Sequence, residues 1–126
     1  MSREIEFRGK RKIDGTWIYG GYMKTHRTNK VQVGGTSKFC TVIPETLGEY
    51  TGRKDRNNQK IYEGDLLYLY NSNHDEEDGV MQVVFEDGAF IIRGDICVEL
   101  SETYSWELEL VGNVYDNHEM LEVSND

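Results

Sequence analysis

The chain has 126 residues, of which 37% are hydrophobic and 29% are charged. A chain of this length fits one domain and can bury a core without metal ions or disulfide bonds. No apolar run is longer than six residues, and the first 25 residues lack the apolar stretch of a signal peptide. We therefore expect no membrane span and no signal peptide, and a protein of the cytosol.

The net charge of -9 conceals an uneven distribution. Residues 1–60 contain 13 of the 14 basic residues and six acidic ones, which gives +7. Residues 61–126 contain 17 acidic residues and one arginine, which gives -16. We therefore predict a basic N-terminal β element over 1–60 and an acidic part over 61–126, folding as one cooperative unit.

Short β-strands account for the first third of the chain. Ile5 and Phe7 alternate with charged residues, and Asp14-Gly15 is a strong hairpin signal, so residues 4–23 are predicted to form two antiparallel strands. Residues 24–38 are polar and predict a loop with at most a short strand. A further strand over residues 39–43 is predicted to end at Pro44, with one helical turn after it.

The rest of the chain continues the strand pattern. Residues 53–60 predict a charged turn, residues 66–70 a strand, and Glu86-Asp87-Gly88 a second hairpin turn between two strands. A short strand is predicted over residues 97–100 and a clearly alternating strand over residues 106–111. Asp116 or Asn117 is predicted to begin a final helical turn that runs through Leu121.

No segment has the sustained helical periodicity of a long amphipathic helix. The predicted fold is mostly β, with an N-terminal antiparallel hairpin element and few short helical turns. From residue 61 onward, about five strands suit a small SH3-like β-barrel in the C-terminal half. Closure of that barrel would also protect strand edges.

Several motifs carry a resemblance to a known family. They are Arg3–Arg8, the run Pro44–Gly52, Lys54–Asn57, Lys60–Asp65 and Val111–Asn117. Together they resemble the YopX family of phage and prophage proteins, although Gly9-Lys10-Arg11-Lys12 departs from the family's usual continuation. The resemblance implies a mostly β protein with an SH3-like barrel, encoded by a phage or prophage and acting in the bacterial cytoplasm. It implies no active site.

The family motifs also have a structural interpretation. Their glycines are predicted to occupy backbone conformations or close approaches that other residues disfavour, namely Gly48, Gly52, Gly64 and Gly112. Their apolar and aromatic residues are predicted to pack in the interior, namely Tyr50, Ile61, Tyr62, Val111 and Tyr115.

The histidines and cysteines do not have the spacing of a metal site. His26, His74 and His118 lie far apart, and the acidic residues 75–78 after His74 lack the glycine turn of a calcium loop. We therefore expect a solvated loop there, no metal and no cofactor. Cys40 and Cys97 are expected to be reduced and partly buried rather than joined in a disulfide.

The sequence also lacks the motifs of common enzyme classes. It has no nucleophile elbow, phosphate-binding loop or zinc-protease helix motif. Glu63 and Asp65, like Glu107 and Glu109, alternate in the way that is typical of the solvated face of a strand. We expect a protein that is not an enzyme and has no catalytic residues.

Two binding functions remain open. The first is protein binding, either self-assembly into a homo-oligomer through the oppositely charged halves and strand edges, or binding of a host or phage protein. The alternative is nucleic-acid binding, with Trp17, Tyr19 and Tyr22 stacking on bases. Its basic residues would be Arg8, Lys10, Arg11, Lys12, Arg53, Lys54 and Arg56. A DNA-mimicking role of the acidic half has only net charge to support it.

Overall fold

The described residues form short antiparallel strands with little helix. The computed structural model describes residues 4–25, 30–35, 38–70, 79–94 and 96–123. The strands within these ranges are β1 (Phe7–Lys10), β2 (Trp17–Lys24), β3 (Val31–Gly34), β4 (Phe39–Thr41), β5 (Gly48–Lys54), β6 (Lys60–Tyr62), β7 (Asp65–Leu69), β8 (Val80–Glu86), β9 (Ala89–Arg93), β10 (Cys97–Glu99) and β11 (Leu108–Asn113). They are accompanied by helix α1 (Glu119–Val123) and by 3-10 turns at Pro44–Thr46, Leu100–Glu102 and Ser105–Glu107. The predicted mostly β class is confirmed.

The chain divides into two compact units, Met1–Gly52 and Arg53–Asp126. The division falls within β5, eight residues before the change of charge between Lys60 and Ile61. The four basic residues between the two positions therefore belong to the second unit. The net charges become +4 for the first unit and -13 for the second.

The first unit contains the predicted N-terminal hairpin. β1 pairs antiparallel with β2 from Phe7 opposite Gly20 to Lys10 opposite Trp17, and the Asp14-Gly15 turn has the positive φ that its glycine permits. The strand order in this unit is β4-β3-β2-β1-β5. An isolated bridge between Arg11 and Val42 joins the end of β4 to the residues that follow β1. The core of this unit consists of Val31, Val33 and Val42, with Ile18 and Leu47 against them.

The second unit contains a five-stranded antiparallel sheet with the order β10-β9-β8-β7-β11. The predicted hairpin turn between β8 and β9 has positive φ at Asp87 and Gly88. No pairing joins β10 to β11 among the residues that the structure describes, so closure into an SH3-like barrel stays a prediction. The core of this unit is formed by Ile61, Leu67, Leu69, Met81, Val83, Ile92, Leu100 and Leu108.

One strand was not predicted, and the start of another was misplaced. The predicted helical turn is present at Pro44–Thr46, but the strand that follows it, β5, was not predicted, and its last two residues fall within the predicted charged turn of residues 53–60. Gly52 is accommodated within this strand at φ +88°. Trp106 and Glu107 belong to a 3-10 turn, and β11 begins only at Leu108. β5 forms because it pairs with the distant strand β1, whereas the 3-10 turn is closed by local hydrogen bonds between Tyr104 and Glu107.

The carboxylate of Asp55 connects a turn to the edge of the second sheet. Its Oδ1 accepts hydrogen bonds from the backbone N–H groups of Asn57 and Gln59, both at 2.9 Å. Its Oδ2 accepts one from the N–H of Leu110 at 2.9 Å, and the N–H of Arg56 donates to the carbonyl of Leu108 at 2.8 Å. Asp55 is only 3% exposed. It therefore holds the turn after β5 and occupies the outer edge of β11 together with Arg56.

The last family motif forms a second structural junction. Gly64 has φ +94°, and a Cβ there would lie 2.9 Å from Cε2 of Tyr115. The N–H of Val114 donates to the carbonyl of Gly64 at 2.9 Å. A Cβ on Gly112 would lie 2.5 Å from Oδ1 of Asn117, which accepts a hydrogen bond from the backbone N–H of residue 113. These glycines are required by close approach, as predicted.

The packing predictions for the family motifs hold only in part. Tyr50, Ile61 and Tyr62 are buried, whereas Tyr115 is exposed beside Gly64. Tyr115 therefore covers the glycine turn from the solvent side and does not fill a core position.

The Asp55 junction predicts a large effect of a small substitution. Asp55→Asn keeps one carbonyl oxygen but turns an N–H donor towards the N–H of Leu110, which then lacks its acceptor. We expect the free energy of unfolding to fall by about 1–3 kcal/mol, the typical cost of a buried unsatisfied donor. Urea unfolding followed by circular dichroism measures this fall.

The exposed Glu119 provides a matched control for that substitution. Glu119→Gln makes the same chemical change on the same unit and should alter stability by no more than about 0.5 kcal/mol. Equal stability of Asp55→Asn and the wild type would contradict the role of the junction.

Candidate functional site

The structure divides the seven predicted basic residues between the two units. Four of them, Arg8, Lys10, Arg11 and Lys12, lie in the first unit, and Arg53, Lys54 and Arg56 lie in the second. Each group has its own surroundings, so each is described by itself.

The first group is built around Trp17. Arg8 and Lys10 lie on β1 opposite Tyr19 and Trp17 of β2 and therefore share one face of the hairpin. The guanidinium carbon of Arg8 lies 4.5 Å from the centre of the Trp17 ring, and Nζ of Lys10 lies 5.7 Å from it. These are cation–π distances. Arg8 is only 5% exposed, so its charge is used within the fold and is not presented to a phosphate backbone.

Arg11 and Lys12 lie at the turn end of the hairpin. Arg11 forms an ion pair with Asp14, with 3.5 Å between Nη1 and Oδ2. The Thr16 N–H and hydroxyl both donate to Asp14, and these hydrogen bonds, with a smaller contribution from Arg11, lower the pKa of the Asp14 carboxyl. The side chain of Lys12 is exposed, while its N–H donates to the carbonyl of Thr41 at 2.9 Å.

In the second group, Arg53 has a structural position that the sequence did not predict. Its guanidinium donates to the carbonyl of Leu100 at 2.8 Å and to that of Thr103 at 2.7 Å. Both carbonyls belong to the segment between β10 and β11. Arg53 therefore fixes this segment on the second unit.

Arg56 and Lys54 differ in their surroundings. The guanidinium of Arg56 lies 4.2 Å from the centre of the Tyr70 ring, and the Tyr70 hydroxyl donates to Oε1 of Glu109 at 2.6 Å. This hydrogen bond to a carboxylate is the main reason that the pKa of Tyr70 is raised. Lys54 is exposed at the end of β5. The second group thus includes one cation held by main-chain carbonyls and one stacked beside an acid.

The segment that Arg53 fixes presents two large aromatic side chains to solvent. Tyr104 is 67% exposed and Trp106 is 56% exposed. We call these two residues the aromatic ridge. Its backbone is constrained by further hydrogen bonds, from the Thr103 hydroxyl to the Leu100 carbonyl at 2.8 Å and from the Tyr104 N–H to Glu107 Oε1 at 2.8 Å.

The surroundings of the aromatic ridge are acidic. Glu102 is exposed on the same segment, Glu99 is exposed at the end of β10, and Glu107 is half-buried next to Trp106. Sequence reasoning missed the ridge because the alternation from residue 106 suggested that Trp106 was the first residue of a strand. The signal that could have found it is the polar run Ser101–Ser105, which interrupts β pairing before Trp106.

Among the described residues, no group of three or more His, Cys, Asp or Glu side chains has the geometry of a metal site. His26 and the predicted solvated loop at His74 and residues 75–78 lie outside the described residues. Cys40 and Cys97 are free thiols, and Cys97 is exposed rather than partly buried as predicted. Within the described ranges, no helix is long and apolar enough to span a membrane.

The hydrogen bond between Tyr70 and Glu109 predicts that the pKa of Tyr70 depends on the charge of Glu109. Ionisation of Tyr70 would remove its donor and place two anions in contact, so Glu109→Gln should lower the pKa of Tyr70 towards the ordinary value of about 10. Because the pKa of Tyr70 is raised in the folded protein, its hydrogen bond to Glu109 contributes fully to folding stability at pH values below the pKa of tyrosine in the unfolded chain. This contribution is lost as the pH rises through the pKa of Tyr70 in the folded protein. Tyrosinate absorbance of the wild type minus that of Tyr70→Phe isolates this group.

Glu119→Gln, which also removes one exposed carboxylate, is the control for this titration and should leave the Tyr70 curve in place. An unchanged Tyr70 curve in Glu109→Gln would contradict the assignment.

Comparison with known proteins places this fold in a family. A crystal structure of protein EF1440 from Enterococcus faecalis is similar, with a TM-score of 0.58 and 19% sequence identity over 95% of this chain and 99% of that chain. At that identity the likeness concerns the fold alone. No curated protein matches the chain. The family model described as YopX protein matches residues 6–122, and the chain therefore belongs to the YopX family.

Proposed function

We propose that this YopX family member is a non-enzymatic module that binds a protein partner through the aromatic ridge. The observation that carries the proposal is the exposure of Tyr104 and Trp106 on a segment whose backbone is held in place by Arg53. Exposed aromatic side chains that occur singly are common on protein surfaces. A Tyr and a Trp two residues apart on a constrained segment resemble the anchors of protein interfaces.

The constraint on the segment supports binding for an energetic reason. Ordering a mobile loop on binding costs free energy, so a surface already held in one conformation loses less on association. Arg53 supplies two charge-assisted hydrogen bonds to this segment, and Thr103 closes its first turn. The two rings can therefore contact a partner without further ordering of the backbone.

The charge around the aromatic ridge indicates the chemistry of the partner. The second unit has a net charge of -13, and Glu99 and Glu102 are exposed beside the ridge. A Lys- or Arg-rich protein segment complements this surface, and its cations can also lie over the exposed rings. We assign the partner as a basic segment of a phage or host protein in the bacterial cytoplasm.

Self-assembly by strand pairing has less support at one edge of the second sheet. The outer edge of β11 is occupied by the Asp55 carboxylate and the Arg56 N–H, so another strand would have to displace both. A homo-oligomer would then form through side chains, with the first unit of a second copy, at net +4, as the basic partner. The binding experiment separates this case from a foreign partner.

The alternative of nucleic-acid binding has weaker support. Of the seven basic residues, Arg8 is buried against Trp17 and Arg53 donates to two main-chain carbonyls. Arg11 faces Asp14, and Lys54 and Arg56 lie on the acidic second unit.

We propose further that the protein uses no cofactor and catalyses no reaction, and that the second unit is an SH3-like barrel. Five antiparallel strands around one core support the barrel.

The aromatic ridge predicts a selective binding defect. We expect labelled peptides rich in Lys and Leu to bind the full chain at low salt, while peptides rich in Glu and Leu do not. The double substitution Tyr104→Ala with Trp106→Ala should weaken binding about tenfold or more, because it removes two anchor residues. Fluorescence anisotropy of the peptides measures this affinity.

Phe85 on β8 is the control for loss of an exposed aromatic side chain. Phe85→Ala should leave peptide affinity unchanged, since Phe85 contacts Phe90 on a different strand pair. Light scattering of the protein without peptide tests whether a second copy of the chain is the partner. A wild-type dimer that the double substitution converts to a monomer would show that it is. Equal binding of acidic and basic peptides, or the same affinity in both variants, would refute the proposal.

Titration with single- and double-stranded DNA at low salt tests the alternative. Because Arg8 and Arg53 are engaged within the fold, we expect weak binding that is lost at about 0.15 M salt, where exposed charges are screened. Fluorescence anisotropy of a labelled oligonucleotide measures it. Tight binding that Lys10→Glu with Lys12→Glu abolishes would instead favour nucleic acid as the ligand.

A further inference from the structure

A cavity in the first unit has a lining that neither the fold nor the aromatic ridge explains. Its volume is about 330 Å³, and it is lined by Arg11, Lys12, Ile13, Cys40 and Thr41. This volume is at the lower end of the range for small-molecule sites. The lining combines two cations, a hydroxyl and a thiol with the apolar side chain of Ile13.

The backbone around this cavity is held at several points. The N–H of Arg11 donates to the carbonyl of Thr16 at 2.8 Å, and the N–H of Lys12 donates to that of Thr41 at 2.9 Å. The bridge between Arg11 and Val42 joins the two walls. The backbone that carries the lining therefore exists before any ligand binds, which lowers the cost of binding.

The guanidinium of Arg11 is only partly satisfied by the protein. Nη1 faces Asp14 at 3.5 Å, which is longer than a hydrogen bond. Nε is buried, and no group within the described ranges accepts a hydrogen bond from it. A buried donor without an acceptor costs free energy, and a rotation of the Arg11 side chain that brings its guanidinium to a ligand would remove this cost.

We propose that this cavity binds a phosphoryl group, as the dianion of a small phosphomonoester or of inorganic phosphate. Arg11 and Lys12 supply two positive charges, and none of the five lining residues is acidic, although the Asp14 carboxylate faces Arg11 from outside the lining. A guanidinium offers paired donors that match phosphate oxygens, an ammonium adds a point charge, and the Thr41 hydroxyl can donate a further hydrogen bond. The site is independent of the aromatic ridge, which belongs to the other unit.

The two free thiols allow a direct test in the full chain. Cys40 lines the cavity, whereas Cys97 is exposed in the second unit and serves as an internal reference. Inorganic phosphate should slow alkylation of Cys40, about tenfold at ten times the dissociation constant by mass action, and leave Cys97 unaffected. Mass spectrometry of the two cysteine peptides measures both rates, with chloride added to equalise ionic strength.

Variants assign the protection to the cavity. Lys12→Met should reduce it strongly, and because the side chain of Lys12 is exposed this variant is expected to fold; Arg11→Met is the second variant. Lys24→Met removes an exposed lysine of the same unit outside the cavity and should retain full protection. Isothermal titration with phosphate gives an independent readout, with saturation expected in the wild type and in Lys24→Met only.

The choice of probes distinguishes the sources of the phosphoryl group. Adenosine 5′-monophosphate should protect Cys40 at least as well as phosphate, whereas adenosine, acetate and an oligonucleotide without terminal phosphate should not. If only the oligonucleotide protects Cys40, the cavity binds nucleic acid and the proposal of a small phosphoryl ligand is wrong. The proposal is overturned if acetate protects Cys40 as well as phosphate does, or if phosphate slows alkylation of both cysteines equally. It is also overturned if protection of Cys40 persists in Lys12→Met and Arg11→Met, or if the calorimetric titration with phosphate does not saturate.

Discussion

The second unit depends on the contact of one carboxylate with the edge of a sheet. Asp55 accepts hydrogen bonds from two N–H groups of its own turn and from Leu110 of β11. The turn between β5 and β6 is therefore joined to a strand that lies 55 residues further along the chain. Because the same contact occupies the outer edge of β11, it both completes the sheet and limits its pairing with other chains.

Several charged side chains of this protein serve the fold rather than a ligand. Arg8 lies against Trp17, Arg53 holds the segment of the aromatic ridge, and Arg56 lies over Tyr70. A count of positive charges along the sequence therefore overstates the charge that is available to bind nucleic acid. The proposed functions depend instead on exposed rings near acidic residues and on a small cavity whose lining includes two cations.

The predictable parts of the fold are those with local causes. The hairpins at Asp14-Gly15 and Asp87-Gly88 were predicted because a tight turn requires positive φ and its sequence states that requirement directly. β5 was missed because its pairing partner, β1, lies about 40 residues earlier, and its glycines suggested a break. The start of β11 was misplaced because Glu107 and Tyr104 close a 3-10 turn that mimics strand alternation.

The amino-acid sequence alone determined the mostly β class, the family and the opposite charges of the two ends, because turn residues, motifs and net charge are local properties. Only the tertiary structure decided which cations are engaged, where the aromatic ridge emerges and that Arg11 and Lys12 share a cavity with Cys40. The reason is physical. The exposure of a side chain and the partners of a charged group depend on residues tens of positions away in the sequence. Arg53 and Thr103 are an example, because no local sequence pattern specifies the hydrogen bond between them.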